Sequence, residues 1–209
     1  MNRIIVFALM FFCMTMQIEA QTLSEEEVTA KMYQAFELNK AAKKAEALEL
    51  FLIVGENTKQ QRNEGERQVY VCSQTMACQC YELLGRYKEG YLLGKSLLQG
   101  KLNDTERKDV GHLYAMNGYM YACEFIQRDE KGRADYKRGR ELISEILPYS
   151  DGQVKEYAET KIPLSWYFEG AQYAMTQSYD EALSSYEEAL NGFRDLGRVS
   201  EEVDVLSGI

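Results

Sequence analysis

An all-α fold, built as a stack of helical hairpins, is what this chain predicts, on three observations. Ala, Glu, Leu and Lys are plentiful while proline occurs only twice, at Pro148 and Pro163, a composition that favours helix over sheet. From Ser24 onward apolar residues recur at three- and four-residue spacing, the period of one helix face. Turn signals cut that pattern into helix-length pieces at Gly55 to Gly65, Gly85-Arg86, Gly100 to Asp104, Asp129 to Arg133, Pro148 to Gly152 and Gln177-Ser178. No alternating run rich in Val, Ile and Thr reads as a strand. A hydrophobic content of 45% with 27% charged residues fits a chain that folds rather than a disordered one.

The first element is an address. "MNRIIVFALMFFCMTMQIEAQTLSEEE" opens with one basic residue, Arg3, followed by an apolar run from Ile4 to Met16 and a polar stretch ending in Ala20 before Gln21. That order predicts a secretory signal peptide over residues 1–20. The run of thirteen residues is short for a membrane span, which needs about 20; an uncleaved anchor is the competing reading. Cys13 lies inside the apolar core of this leader, without the small residues a lipoprotein site needs. Residues 21–209 are then one helical-repeat domain outside the cytoplasm.

Helix starts come next. Ser24 with Glu27, Asn103 with Glu106 and Ser178 with Glu181 have the spacing of capping boxes, in which a side chain and a backbone N–H satisfy each other reciprocally. The first hairpin carries Ala35 and Leu38, then Ala47, Phe51 and Val54. In the second, Cys78 and Tyr81 precede the Gly85-Arg86-Tyr87 turn, and Gly90, Gly94 and Leu97 follow it. The third sets Tyr114, Gly118 and Tyr121 against Tyr136, Gly139, Ile143 and Ile146 across a charged loop. The fourth has Trp166, Gly170 and Tyr173, a turn at Tyr179, then Ala182, Tyr186 and Ala189. Small residues thus recur at 35, 78, 118 and 170 in first helices and at 47, 90, 139 and 182 in second ones. Antiparallel helices approach closely only where one offers Ala or Gly and the other fills the gap with a larger side chain. Each hairpin leaves one apolar face for the next hairpin to cover. "GRVSEEVDVLSGI" then looks like a further first helix, with Val199, Val203 and Leu206 on its apolar stripe.

Trp166, Gly170, Tyr173, Tyr179, Ala182, Tyr186 and Ala189 fall on the signature spacing of the tetratricopeptide repeat, and the chain resembles that family over most of residues 24 to 196. Arg194 stands where the motif is often closed by proline. The hairpins at 71–98 and 28–55 follow the pattern in part, and that at 111–147 is distorted by its loop. The resemblance implies a solenoid of four repeats and a truncated fifth. It also implies that first helices line a concave groove, whose surface would be Met32, Phe36, Thr75, Gln79, His112, Tyr119, Tyr167, Ala171 and Met175. Such a mixed aromatic and Met surface suits a protein or peptide partner. Basic and Asn residues that would clamp a C-terminal carboxylate are not on this face, which disfavours a chaperone-tail receptor.

The leader, the long-period repeats and the unfinished end together resemble the N-terminal sensory part of repeat-containing sensor histidine kinases and regulators of Bacteroidetes. A membrane span beyond Ile209, or an uncleaved leader, would be the only link to a membrane. A free-standing periplasmic scaffold is one rival reading, and an enzyme on a helical-repeat frame is another.

Other classes lose ground on charge and chemistry. A net charge of −9 argues against nucleic acid, whose phosphates demand a basic face, and against an anionic membrane surface. His112 is the single histidine, with no nucleophile motif to serve, so no catalytic residue is assigned. Cys78 and Cys80, two apart on a helix, point about 200° away from each other and cannot share a metal; no cofactor or metal is expected. A bridge from Cys123 to Cys72, Cys78 or Cys80 is left open. "RDEKGRADYKRGR" at 128–140 mixes its charges and reads as a solvated loop and helix face.

Overall fold

The computed structural model describes residues 23–127 and 134–208. The leader expected over residues 1–20 and the break expected at Asp129 to Arg133 lie outside the described residues. The described residues form α-helices and one short 3-10 turn, with no strand among them. The helices are α1 (Glu25–Lys40), α2 (Lys44–Thr58), α3 (Glu64–Leu83), α4 (Tyr87–Leu98), α5 (Asp104–Ile126), α6 (Tyr136–Ile146), α7 (Gly152–Met175), α8 (Tyr179–Asp195) and α9 (Val199–Gly208). Each packs on the helix before it and the helix after it, while α3 also meets α5 and α5 meets α7.

The hairpins α1–α2, α3–α4 and α7–α8 turn in the same way. Ala42, Gly85 and Gln177 sit at φ of 60°, 69° and 61°. The next residue's N–H closes back on the first helix: Lys43 to Leu38 O at 2.9 Å, Arg86 to Tyr81 O at 2.9 Å, and Ser178 to Tyr173 O at 3.0 Å. This left-handed cap satisfies carbonyls that a helix end leaves unpaired. At Ala42 and Gln177 it costs about 1–2 kcal/mol, because a Cβ crowds the backbone there.

Small residues set the distance between paired helices. The Cys78 thiol lies 3.7 Å from Gly90 O, and Ala35 and Ala47 are both fully buried in one cluster. A Cβ built on Gly170 would stand 3.1 Å from Ala182 O, and one on Gly139 would stand 3.2 Å from Ala122 O. The last distance corrects the third hairpin: the residue facing Gly139 is Ala122, not Gly118. The first-helix positions are therefore 35, 78, 122 and 170, twelve residues before their partners in three hairpins and seventeen before in the third. Gly118 does a different job. It admits Ile146 Cγ2, which would lie 2.5 Å from an added Cβ, and the Tyr91 ring, at 3.2 Å.

Of the residues expected to pack the repeats, Ala35, Ala47, Phe51, Cys78, Tyr81, Gly90, Gly118, Gly139, Gly170, Ala182, Tyr186 and Ala189 are buried, while Tyr87, Tyr121 and Trp166 are half-buried. Tyr173 and Tyr179 are corrections, at 36% and 67% exposed. Tyr179 opens the 17-residue α8 and lies exposed at its start. On α9, Val205 is the buried residue, whereas Val199, Val203 and Leu206 face solvent.

Helix starts differ from expectation in two places. The Ser24–Glu27 and Asn103–Glu106 boxes form, but Ser178 makes no side-chain cap. Asn63, which the sequence reading passed over, caps α3 through the Glu66 N–H at 2.9 Å. The break expected from Gly55 to Gly65 is narrower, since Gly55 lies inside α2 and Gly65 inside α3. Between hairpins, Arg67 binds Glu106 through both its terminal nitrogens, at 2.8 and 3.0 Å, tying the start of α3 to the start of α5.

Two glycines of α5 give a paired prediction. Gly118→Ala drives a methyl into Ile146 and lowers stability by about 1–3 kcal/mol. At Gly111 a Cβ meets only Tyr149, at 3.5 Å, so Gly111→Ala raises stability by up to about 1 kcal/mol through helix propensity. Urea unfolding of both variants checks the sign as well as the size.

Candidate functional site

The corrected register re-sorts the residues expected to face a partner. Three residues before each small position stand Met32, Thr75, Tyr119 and Tyr167; one residue after stand Phe36, Gln79, Cys123 and Ala171. His112 belongs to neither row. In the fold its Nδ1 lies 3.0 Å from Oδ1 of Asp151, the N-cap residue of α7. Phe36 packs edge-on against Phe51 with centroids 5.4 Å apart, and Tyr167 lies 5.8 Å from Tyr186. Those two rings serve the core. Met32 and Gln79 are half-buried, and Met175 is 76% exposed.

What the fold assembles is a smaller site between α5 and α7. Met116, Tyr119 and Met120 from α5 and Gln153, Val154 and Tyr157 from α7 line an apolar cavity of about 270 Å³. The Tyr119 and Tyr157 rings stack across it, with centroids 6.3 Å apart and planes 26° from parallel. Tyr157 remains half exposed. Flexible methionines beside flat aromatic faces make a wall that can adapt to an apolar side chain. Of the expected residues only Tyr119 lies here. Met116, six residues before Ala122, falls in neither row, and Tyr157 lies in the first half of α7, which precedes the repeat signature.

A second recess, lined by residues that include Arg140, Trp166, Glu169 and Ser185, measures about 560 Å³. Its charge is already satisfied: the Arg140 guanidinium sits 3.4 Å from the Trp166 ring centroid, and its Nη2 lies 2.7 Å from Glu169. It joins α6 to α7.

A titratable cluster centred on Glu145 is equally closed. Glu145 on α6 accepts from Tyr114 Oη at 2.6 Å, from Tyr91 Oη at 2.9 Å and from Lys95 Nζ at 2.7 Å. The two tyrosine rings stack at 5.3 Å and are nearly fully buried. Burial alone raises Glu145, but hydrogen bonds from Lys95, Tyr114 and Tyr91 outweigh it and hold the carboxyl below its ordinary range. Burial first, and then the Glu145 carboxylate, push the Tyr114 hydroxyl far up. The hydroxyls therefore stay protonated as donors.

Cys72, Cys78, Cys80 and Cys123 are free thiols. Burial pushes Cys78 up to about 12, so it packs as a small apolar group and not as a thiolate. Among the described residues no three His, Cys, Asp or Glu side chains converge as a metal site. None of the described helices is long and apolar enough to cross a membrane. No family model, no curated protein and no solved structure matches this chain.

Glu145 yields a pH prediction. Its folded pKa is depressed, so its contribution is present above the unfolded carboxylate range and is lost as pH falls through the folded value. Glu145→Gln lowers stability at pH 7 by about 1 kcal/mol, the value for hydrogen bonds to a charged group after solvent screening. The gap between wild type and variant closes as pH drops below about 4. Denaturation midpoints at several pH values measure it.

Proposed function

We propose that this chain is a tetratricopeptide-like solenoid that recognises a protein or peptide outside the cytoplasm without catalysing a reaction, as the sensory part of a two-component membrane signalling protein. Four observations support the solenoid: sequential helix packing, one turn geometry used in three hairpins, the twelve-residue spacing of small residues in the same three, and the fourth hairpin's signature residues.

The observation that carries recognition is the Tyr119–Tyr157 cavity. It is apolar, built from the side of α5 that the repeat resemblance assigns to a groove, and half open. In the recess beside Arg140, the guanidinium is already taken by Trp166 and Glu169. A free-standing periplasmic scaffold would use the same face and differ only in what the face is joined to. The leader "MNRIIVFALMFFCMTMQIEA" supports export.

Two experiments test the reading. Twenty-residue random peptides displayed on phage are selected against the whole mature chain. Enriched peptides are expected to lose about tenfold in affinity to a Tyr119→Ser/Met120→Ser variant, the size of a hot-spot loss; undiminished binding would sink the site. Separately, expression with residues 1–20 in a Gram-negative host is expected to give a periplasmic product whose N-terminal sequencing starts at Gln21. Retention of Met1 in the membrane fraction would mean an anchor.

A further inference from the structure

The buried charges of the recess beside Arg140 satisfy each other, but the charges on its rim do not. α6 and α8 each pack on α7, and the recess opens between them with a volume of about 560 Å³. That size belongs to small-molecule sites, which run from about 300 to 1,000 Å³. Its floor comes from α7. Trp166 carries the Arg140 guanidinium on its ring and Glu169 takes the charge. The result is a neutral floor that Tyr173, 36% exposed, extends.

On the rim the two signs stand on opposite walls. Lys137 lies on α6, while Asp180 and Glu181 lie in the first turn of α8. All three are exposed, and no ion pair among the described residues includes any of them. A ligand of one sign meets a like charge at one wall, which is unfavourable. A ligand with an ammonium at one end and a carboxylate at the other meets an opposite charge at both. Length narrows the choice. Packed helices stand about 8–10 Å apart, and α6 and α8 have the recess between them, whereas the two charges of a single amino acid sit on one carbon. Two or three residues, at up to about 3.6 Å each, reach from wall to wall.

The α8 wall also offers a partner for a peptide group. Ser185 lines the recess, is 4% exposed, and its hydroxyl forms no hydrogen bond among the described residues. A buried hydroxyl without a partner is costly, and a hydroxyl can pair with either the N–H or the C=O of a peptide.

We propose that this recess binds a di- or tripeptide with both ends free, its ammonium at Asp180 and Glu181 and its carboxylate at Lys137. The middle of the ligand lies over Tyr173 and against Ser185. The site is separate from the Tyr119–Tyr157 cavity and does not depend on it.

Trp166 is the only tryptophan of the chain, so its emission reports on this recess directly. The whole mature chain is titrated with tripeptides of the form alanyl-X-alanine, X being each residue other than tryptophan. At least one is expected to shift the Trp166 emission to saturation. Amidating its carboxylate is expected to weaken it about fivefold, and acetylating its amine about tenfold. Lys137→Gln then weakens the free peptide about fivefold and leaves the amidated one unchanged. Asp180→Asn combined with Glu181→Gln weakens the free peptide about tenfold and leaves the acetylated one unchanged. Circular dichroism shows that each variant keeps its helix content. No emission shift with any tripeptide overturns the proposal. So does a peptide blocked at both ends that binds as tightly as the free one, or an affinity that none of these variants changes. The display experiment reads Tyr119 and Met120 instead, so either site can fail alone.

Discussion

The close approach of paired helices at a small residue is the constraint on which this molecule depends. Ala35 with Ala47, Cys78 with Gly90, Ala122 with Gly139 and Gly170 with Ala182 hold the two helices of each hairpin at a distance where larger side chains interlock around them. Phe51 and Val54 are fully buried one and two turns beyond Ala47, and Tyr186 and Ala189 hold the same places beyond Ala182. Truncating a buried ring such as Phe51 to Ala costs about 3–5 kcal/mol, yet its burial exists only because the alanine beside it lets the helices meet. The left-handed turns follow from the same need, since a tight connection must return the second helix at that separation. Two of them tolerate a strained non-glycine residue to do it.

Joints between hairpins use a different chemistry. Polar groups that could have stayed in water are drawn in and satisfied: Arg67 on Glu106, Arg140 on Glu169 and Trp166, and Glu145 on Tyr91, Tyr114 and Lys95. Asn117 is fully buried among them; its amide nitrogen donates to Leu113 O at 2.9 Å, while its Oδ1 has no hydrogen-bond partner. Its Oδ1 occupies the space a Gly90 side chain would need, 2.2 Å from an added Cβ. Apolar stacking alone would permit neighbouring hairpins to slip along one another. Directional contacts of this kind favour one register, because a slipped arrangement would break the Arg67–Glu106, Arg140–Glu169 and Glu145 contacts.

The face formed by α5 and α7 leaves Tyr157, Phe168 and Met175 exposed, and Tyr33 and Leu83 are exposed at the corresponding places of the first two hairpins. Residues the interior has no use for, grouped on one 24-residue helix, are the physical basis for the recognition reading. The aromatic pair at its end provides a fixed anchor, and the methionines allow the walls to adjust.

Helix content, hairpin order and most of the packing residues were legible in the sequence, because helix periodicity and small-residue spacing are local properties. Three capping sites show where that reading held and where it stopped. Ser24 and Asn103 cap as their spacing implies, while Ser178 does not, because the preceding turn fixes its backbone outside the capping conformation. The third hairpin was misregistered because two glycine-like positions, Gly118 and Ala122, compete on one helix. Only the packing of Ala122 on Gly139 decides between them. Tyr173 and Tyr179 match a motif, but whether a motif position is covered depends on which side chains of other helices pack on it. The chain by itself determined which helices form and which faces are apolar; the tertiary structure alone decided which of those faces are left open, because burial is a property of pairs of segments distant in sequence.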